Sequence, residues 1–289
     1  MKSKRLQKKK QPFFSIKRMM VLILLIGSVQ TFSQKLEKIK GSKNVILSEV
    51  LLDSINSIEL YKDIKLTLRS GNENKLIIHA DDNLHEVINI DINEGKLSLS
   101  LLYRIRSKKE FELTLQLSNL EEIILNNNSE LTNLNYFKSD ELHIILNDKS
   151  EANLLFDSNS IVFEGNDSSK AEVSFKAKSI NYKMLGKSKI KGISNTELVK
   201  FTAQDRAVIT LMGKSESMFI NASESSKVKL ISFISDIAEV NAEEKSDVYL
   251  NVKEDIVISA VDDSKVYIYG NAEIDLKEFE DKASLYKKE

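Results

Sequence analysis

Apolar and polar positions alternate with a period of two along most of this chain, and short polar turns interrupt the alternation at nearly constant intervals. Runs such as Val228-Lys229-Leu230, Val248-Tyr249-Leu250 and Val266-Tyr267-Ile268 open just after a turn. A second set, among them Leu142/Ile144/Leu146, Ile180/Tyr182/Met184 and Ile256/Ile258/Ala260, leads into the next turn. The pattern predicts short strands with one inward face. A helical reading fails because apolar residues recur at i+2 rather than at i+3 and i+4, and β-branched residues dominate.

The turn is itself a repeat. Between Asn127 and Tyr286 a polar pair is followed by Ser, any residue and an aliphatic, as in Asp148-Lys149-Ser150-Glu151-Ala152 and Glu224-Ser225-Ser226-Lys227-Val228. Nine copies place their central residues at 129, 150, 169, 188, 206, 226, 246, 264 and 283, with gaps of 21, 19, 19, 18, 20, 20, 18 and 19. One unit of two short strands is too small to bury its own apolar face, and stacking of successive units solves that. The expected fold is all-β: a parallel β-helix or β-solenoid of about nine coils of ~19 residues, on the order of 40 Å long. An antiparallel sandwich also alternates, but the steady offset between turns favours the solenoid. Residues 55–125 alternate too, as in Ile64-Lys65-Leu66-Thr67-Leu68 and Lys96-Leu97-Ser98-Leu99-Ser100-Leu101, and read as a β-rich N-terminal half that caps or continues the regular repeats of 126–286. Residues 34–54 read as a polar lead-in, and the charged stretch Phe279 to Glu289 as the close of the final coil.

Three stretches carry a family resemblance: Asp167-Ser168-Ser169-Lys170-Ala171-Glu172-Val173, Leu185-Gly186-Lys187-Ser188-Lys189-Ile190 and Val266-Tyr267-Ile268-Tyr269-Gly270-Asn271-Ala272. They resemble the auto-transporter adhesin head GIN domain family of exported Bacteroidetes proteins, whose repeats read Gly-Ser-Gly/Ser before an alternating strand. The likeness covers roughly residues 50–275, and the domain it implies runs from 55 to 289. Here Asp, Asn, Glu or Lys replaces most turn glycines, and Asn and Asp tolerate the left-handed backbone such turns need. The resemblance implies an exported, adhesin-like protein without catalytic activity.

The N-terminus agrees with export. Eight basic residues from Lys2 to Arg18 precede the uncharged run Met19 to Ile26, and small residues follow at Thr31 and Ser33. That order reads as a signal peptide over 1–33, cut after Ser33. The apolar run falls short of the roughly 20 residues that span a bilayer, so no stable membrane span is expected after cleavage. No Cys follows it, which excludes a lipoprotein anchor. Without the leader, 34 Lys and Arg face 43 Asp and Glu, a net charge of about −9. Such a surface does not suit nucleic acid. With no Cys anywhere, stability rests on stacking and burial. The expected location is the periplasm, the cell surface or the medium.

Candidate chemistry is sparse. His79 and His85 flank a polar stretch and His143 stands apart, and no third ligand with zinc spacing accompanies the first two. Seven serines at the same repeat position, Ser129, Ser150, Ser169, Ser188, Ser226, Ser246 and Ser264, point to a structural role in which the hydroxyl bonds the turn backbone. Two positions earlier stands an acidic column of Asp148, Asp167, Glu224, Glu244, Asp262 and Asp281. Stacked carboxylates suit calcium, or the acid pair of a polysaccharide-degrading β-helix enzyme, which is the alternative reading. Turn positions on a solenoid also favour Asp and Glu without any site, and no cofactor is expected. Three positions after the central residue, Tyr249, Tyr267 and Tyr286 face outward with Tyr269 nearby, a strip able to meet a glycan or an envelope protein.

Overall fold

The computed structural model describes residues 36–288, so the leader and its cleavage point lie outside the described residues. All of the strands belong to the unit that begins at Lys38. Its first half contains β1 (Lys38–Lys40), β2 (Val45–Leu51), β3 (Ser57–Leu60), β4 (Lys65–Ser70), β5 (Lys75–Asp81), β6 (Ile88–Asn93), β7 (Lys96–Leu101), β8 (Arg104–Ser107) and β9 (Phe111–Leu117). The regular part runs through β10 (Glu122–Leu125), β11 (Glu130–Asn133), β12 (Phe137–Leu146), β13 (Glu151–Gly165), β14 (Lys170–Met184), β15 (Lys189–Asn195) and β16 (Leu198–Ala203). It ends with β17 (Val208–Ala222), β18 (Lys227–Ala242), β19 (Asp247–Ala260), β20 (Lys265–Tyr269), β21 (Glu273–Phe279) and β22 (Ser284–Lys287). The fold is the expected β-solenoid of about nine turns.

Coils stack in parallel register. β13 pairs with β14 in unbroken register, as at Leu154↔Val173, and β17 pairs with β18 with one register shift between Thr210 and Gly213, as at Met218↔Ala238. Inward positions therefore form ladders, among them that of Phe137, Phe156 and Phe175, whose ring centroids lie 5.8 and 6.3 Å apart. Phe163, Tyr182, Phe201 and Phe233 extend it, with Tyr182 and Phe201 stacked at 5.3 Å. Tyr182 is completely buried, its hydroxyl paired with Ser194 Oγ, and burial moves its phenol pKa well above the usual value. On the outside, Asn126, Asn147 and Asn166 link successive coils by side-chain amide bonds of 2.9 Å.

The first half both continues the solenoid and closes it. Strands β3 and β4 form a coil against β10 and β11, while β7 and β9 pair in parallel with the other side of that same coil. The first coil in sequence thus lies between two later ones. Beyond β7 and β9 the direction changes: β6 runs antiparallel to β7, β5 to β9 and β2 to β5. A 3-10 turn, Asp82–Val87, buries Leu84 and Val87 at this end. The cap is fastened by Asp81, whose fully buried carboxylate accepts backbone N–H bonds from Lys43, Lys109 and Glu110. Burial alone would raise its pKa; the donors from Lys109, Glu110 and Lys43, with the charge of Lys109, outweigh it and hold the carboxyl below its ordinary value. At the opposite end, β21 and β22 pair on one side only among the described residues, and Leu276 and Phe279 stand exposed there among charged neighbours.

The turn ladder begins one coil earlier than the repeat phrase suggests. Ile64 N–H donates to Tyr61 C=O, and Lys62 and Asp63 have φ of 51° and 60°, so Tyr61–Ile64 is the same turn with Ile64 in the serine position. The fifth repeat is also shifted by one. Ala207, not Arg206, is the buried residue whose N–H closes the turn, onto Gln204 C=O, and Asp205 takes the place of the acidic column. The serine had signalled the register elsewhere, and here alanine replaces it.

At each repeat turn the first polar residue has positive φ, from Asn127 at 61° to Asp281 at 48°. In the turns led by Asp148, Asp167, Gly186 and Asp205, the next N–H reaches back to the preceding coil, as Arg206 N–H does to Gly186 C=O at 2.8 Å. From Ser225 onward the second residue also has positive φ, and its N–H reaches forward, as Ser225 does to Glu244 C=O at 2.9 Å. A trans peptide points its C=O opposite to its N–H. The Asp205 and Glu224 carbonyls therefore face each other across one junction.

Candidate functional site

The tyrosine strip is in register. Tyr249 pairs with Tyr267 and Tyr267 with Tyr286, which sets the rings 4.3 and 4.7 Å apart and parallel to within 2° and 11°. Stacking at the coil pitch uses the ring faces on one another. What the ladder offers to solvent is a row of ring edges and hydroxyls, plus the outer face of Tyr286, the most exposed of the three at 40 %. Lys288 Nζ lies beside the stack, 5.4 Å from the Tyr286 centroid and 5.7 Å from that of Tyr267. Burial, then the charge of Asp247 and the neighbouring tyrosines, raises the Tyr249 phenol above its ordinary pKa. Tyr269 is not in this column; it pairs with Asn251 two residues along.

Carboxylates of the acidic column serve the turns. Asp148 Oδ2 accepts from Asn127 N–H at 2.8 Å, Asp167 Oδ2 from Asp148 N–H at 3.2 Å and Asp205 Oδ2 from Gly186 N–H at 3.1 Å. Each satisfies a turn donor one coil back that has no strand partner. At the junction of opposed carbonyls, the hydrogen bond and charge of Asp205 raise the pKa of Glu224. Toward the C-terminal end Glu244, Asp262, Asp263 and Asp281, with Lys245 and Lys282, surround an open hollow of about 700 Å³. Among the described residues no three His, Cys, Asp or Glu side chains converge as metal ligands.

All seven column serines are fully buried, and the N–H of each donates to the carbonyl three residues back. The expected hydroxyl bonds are present at two: Ser150 Oγ donates to Asn147 C=O at 2.7 Å and Ser129 Oγ to Leu60 C=O at 3.4 Å. The hydroxyls of Ser169, Ser188, Ser226, Ser246 and Ser264 have no partner. Small size is what the position requires, as Ala207 shows. Replacing Ser226 or Ser246 with alanine is expected to leave stability unchanged or raise it by about 1 kcal/mol per site, because an unpaired buried hydroxyl is removed. Urea unfolding midpoints measure this, and a clear loss would mean that those hydroxyls are bonded after all.

The histidines do not meet. His79 lies within β5 beside Glu112 at 3.6 Å, His85 bonds Ser48 Oγ through Nδ1 at 2.9 Å, and His143 approaches Glu164 at 3.3 Å. Two surface features escaped the sequence reading. Ile193 and Met212 are neighbours in register and stand about half exposed beside Gly192 and Gly213, an outward apolar pair hidden by the general alternation. Beside His143 lies a groove of about 610 Å³ lined by Glu121, Asp140, Glu141, Ser160 and Glu164.

A family profile described as "Putative auto-transporter adhesin, head GIN domain" matches residues 55–194 and 174–272. The chain belongs to this family. Similar solved structures include a protein described as a putative adhesin from Parabacteroides merdae, with a TM-score of 0.60 at 16 % identity over 88 % of this chain and 100 % of that one. A second, described the same way, from Parabacteroides distasonis, gives 0.63 at 13 % identity over 87 % and 100 %. A third, described as a putative lipid binding protein from Parabacteroides distasonis, gives 0.59 at 15 % identity over 88 % and 100 %. At such identities the likeness establishes the solenoid alone. No curated protein matches the chain.

Proposed function

We propose that this head GIN protein is an exported, non-catalytic, adhesin-like module of the cell envelope or surface, and that it binds a glycan or an envelope protein through the tyrosine ladder. The observation that carries the reading is the in-register stack of Tyr249, Tyr267 and Tyr286 beside Lys288. A row of phenol hydroxyls on a fixed pitch, with one free aromatic face and a cation, matches a repeating, hydroxyl-rich ligand. Family membership supports the adhesin-like role, and among the described residues no helix is long and apolar enough to cross a membrane. The polysaccharide-degrading alternative loses ground because Asp148, Asp167 and Asp205 spend their carboxylates on turn N–H groups.

A glycan array probed with residues 34–289, with calcium and with chelator, tests the proposal. Binding to a defined glycan class that falls at least about tenfold when the three tyrosines become serine, with the fold intact, is the expected result. Binding unaffected by that triple change removes the ladder from the site. Calcium-dependent binding would move attention to the acidic column.

A further inference from the structure

We propose that the free edge of β12, from Phe137 to Leu142, accepts an additional strand from an extended, lysine- or arginine-rich segment of a partner protein.

The edge is a product of the topology. From Phe137 to Leu146, Asp140 excepted, β12 pairs with β13, but on its other side only His143 to Leu146 have a partner among the described residues, β10. In the neighbouring coil, the strand that follows β4 would occupy the place beside Phe137 to Leu142. That strand is β5, which turns away to run antiparallel to β9 and β2. Half of the N–H and C=O groups on this stretch therefore point across an open gap, the arrangement through which a peptide joins a sheet by main-chain hydrogen bonds.

A groove runs from this gap over the outer face of β12 to β13, and its charge selects the occupant. Carboxylates of Glu121, Asp140, Glu141 and Glu164 line it around His143. Glu121 is held by the side-chain amides of Asn56 and Asn119 at 3.0 and 3.1 Å, and Asp140 by Asn159 at 3.3 Å. Neutral amides fix these groups without cancelling their charge, and Glu121, Asp140 and Glu141 make no ion pair among the described residues. Glu164 shares His143 and, at 3.9 Å, Lys183. Lys138 stands at an adjoining hollow that also holds Asp157. A second copy of this chain docked edge to edge would set carboxylates against carboxylates, so self-pairing is disfavoured while a basic strand is attracted. The opposite end of the solenoid lacks this bias: its edge strands mix Glu273 and Asp275 with Lys277 and Lys287.

Neither the tyrosine ladder nor a glycan enters this argument, so the two proposals fail separately. Fluorescence anisotropy with the mature protein at low and at moderate salt provides the test. The probes are a labelled peptide alternating lysine and valine, its glutamate counterpart, and the lysine peptide N-methylated on alternate residues, which keeps charge and removes edge donors. The expected result is salt-sensitive binding of the first peptide and none of the second, with at least roughly tenfold weaker binding of the third. The combined change Glu121→Gln, Asp140→Asn and Glu141→Gln should weaken the first peptide by a similar factor, while the tyrosine-to-serine protein binds it normally. Hydrogen exchange of the unmodified protein should show new protection at residues 137–142 when the peptide is added, a readout that does not depend on any variant folding. Absence of lysine-peptide binding, equal binding of the N-methylated peptide, or protection appearing elsewhere would each overturn the proposal.

Discussion

Alanine at Gly192 or Gly213 is expected to cost on the order of 3 kcal/mol or more of stability at either site, read as a fall in the denaturation midpoint. The two glycines have φ of 141° and 132°, a region side chains rarely enter. Space is also missing: a Cβ on Gly192 would lie 1.9 Å from the carbonyl oxygen of Val173, and one on Gly213 the same distance from that of Ser194. In both cases the obstacle is backbone one coil away, held in the ladder between β14 and β15 or between β15 and β17. Gly71 provides the control. A Cβ there would meet the end of the Gln116 side chain, which can rotate aside, so Gly71→Ala should cost below about 1 kcal/mol. Equal behaviour of all three variants would show that the coils are not packed backbone to backbone at Gly192 and Gly213.

Phe175→Ala should produce the other large loss, about 3–5 kcal/mol, because the surrounding rings cannot close the space left behind. Phe175 is buried at the crossing of two ladders, with ring centroids 6.3 Å from each of Phe156, Phe163 and Tyr182. A solenoid coil contacts only its two neighbours, so the defect weakens both interfaces of the β14 coil at once. Phe219, whose ring is 37 % exposed on the outer surface, serves for comparison, and its replacement by alanine should be close to neutral. Urea unfolding followed by far-ultraviolet circular dichroism separates the two. A small loss at Phe175 would mean that the core repacks more freely than its aromatic ladder implies.

What could be read from the sequence is what stacking repeats. Inward aliphatics, turn spacing and the tyrosine register all reappear because equivalent positions in successive coils meet the same neighbours. The reading slipped where one residue carried the marker: Ala207 lacks the hydroxyl that flagged other turns, and Ile64 hides an additional turn behind an apolar letter. Strand order was not legible, since placing β3 and β4 between β10–β11 and β7–β9 depends on pairings between distant segments. Hydroxyl bonding at the serine column was also out of reach, as the same residue bonds a carbonyl at 150 and nothing at 226. The acidic groove leaves no local signature at all. It borders the stretch of β12 that β5 leaves unpaired, and Glu121, Asp140 and Glu141 come together only in the folded chain.

The reversal of the turn peptides between Arg206 and Ser225 divides the solenoid into two cassettes with opposite grammar. From the Asp148 turn to the Asp205 turn, and from the Glu224 turn to the Asp262 turn, each turn hands its N–H to a neighbour of matching orientation, so a duplicated coil would find compatible partners above and below. A coil transplanted from one cassette into the other would bring carbonyl to carbonyl and leave donors idle on its far side. Insertion or deletion of a coil is thus expected to be tolerated within either of these two runs and to be costly across the Asp205–Glu224 junction.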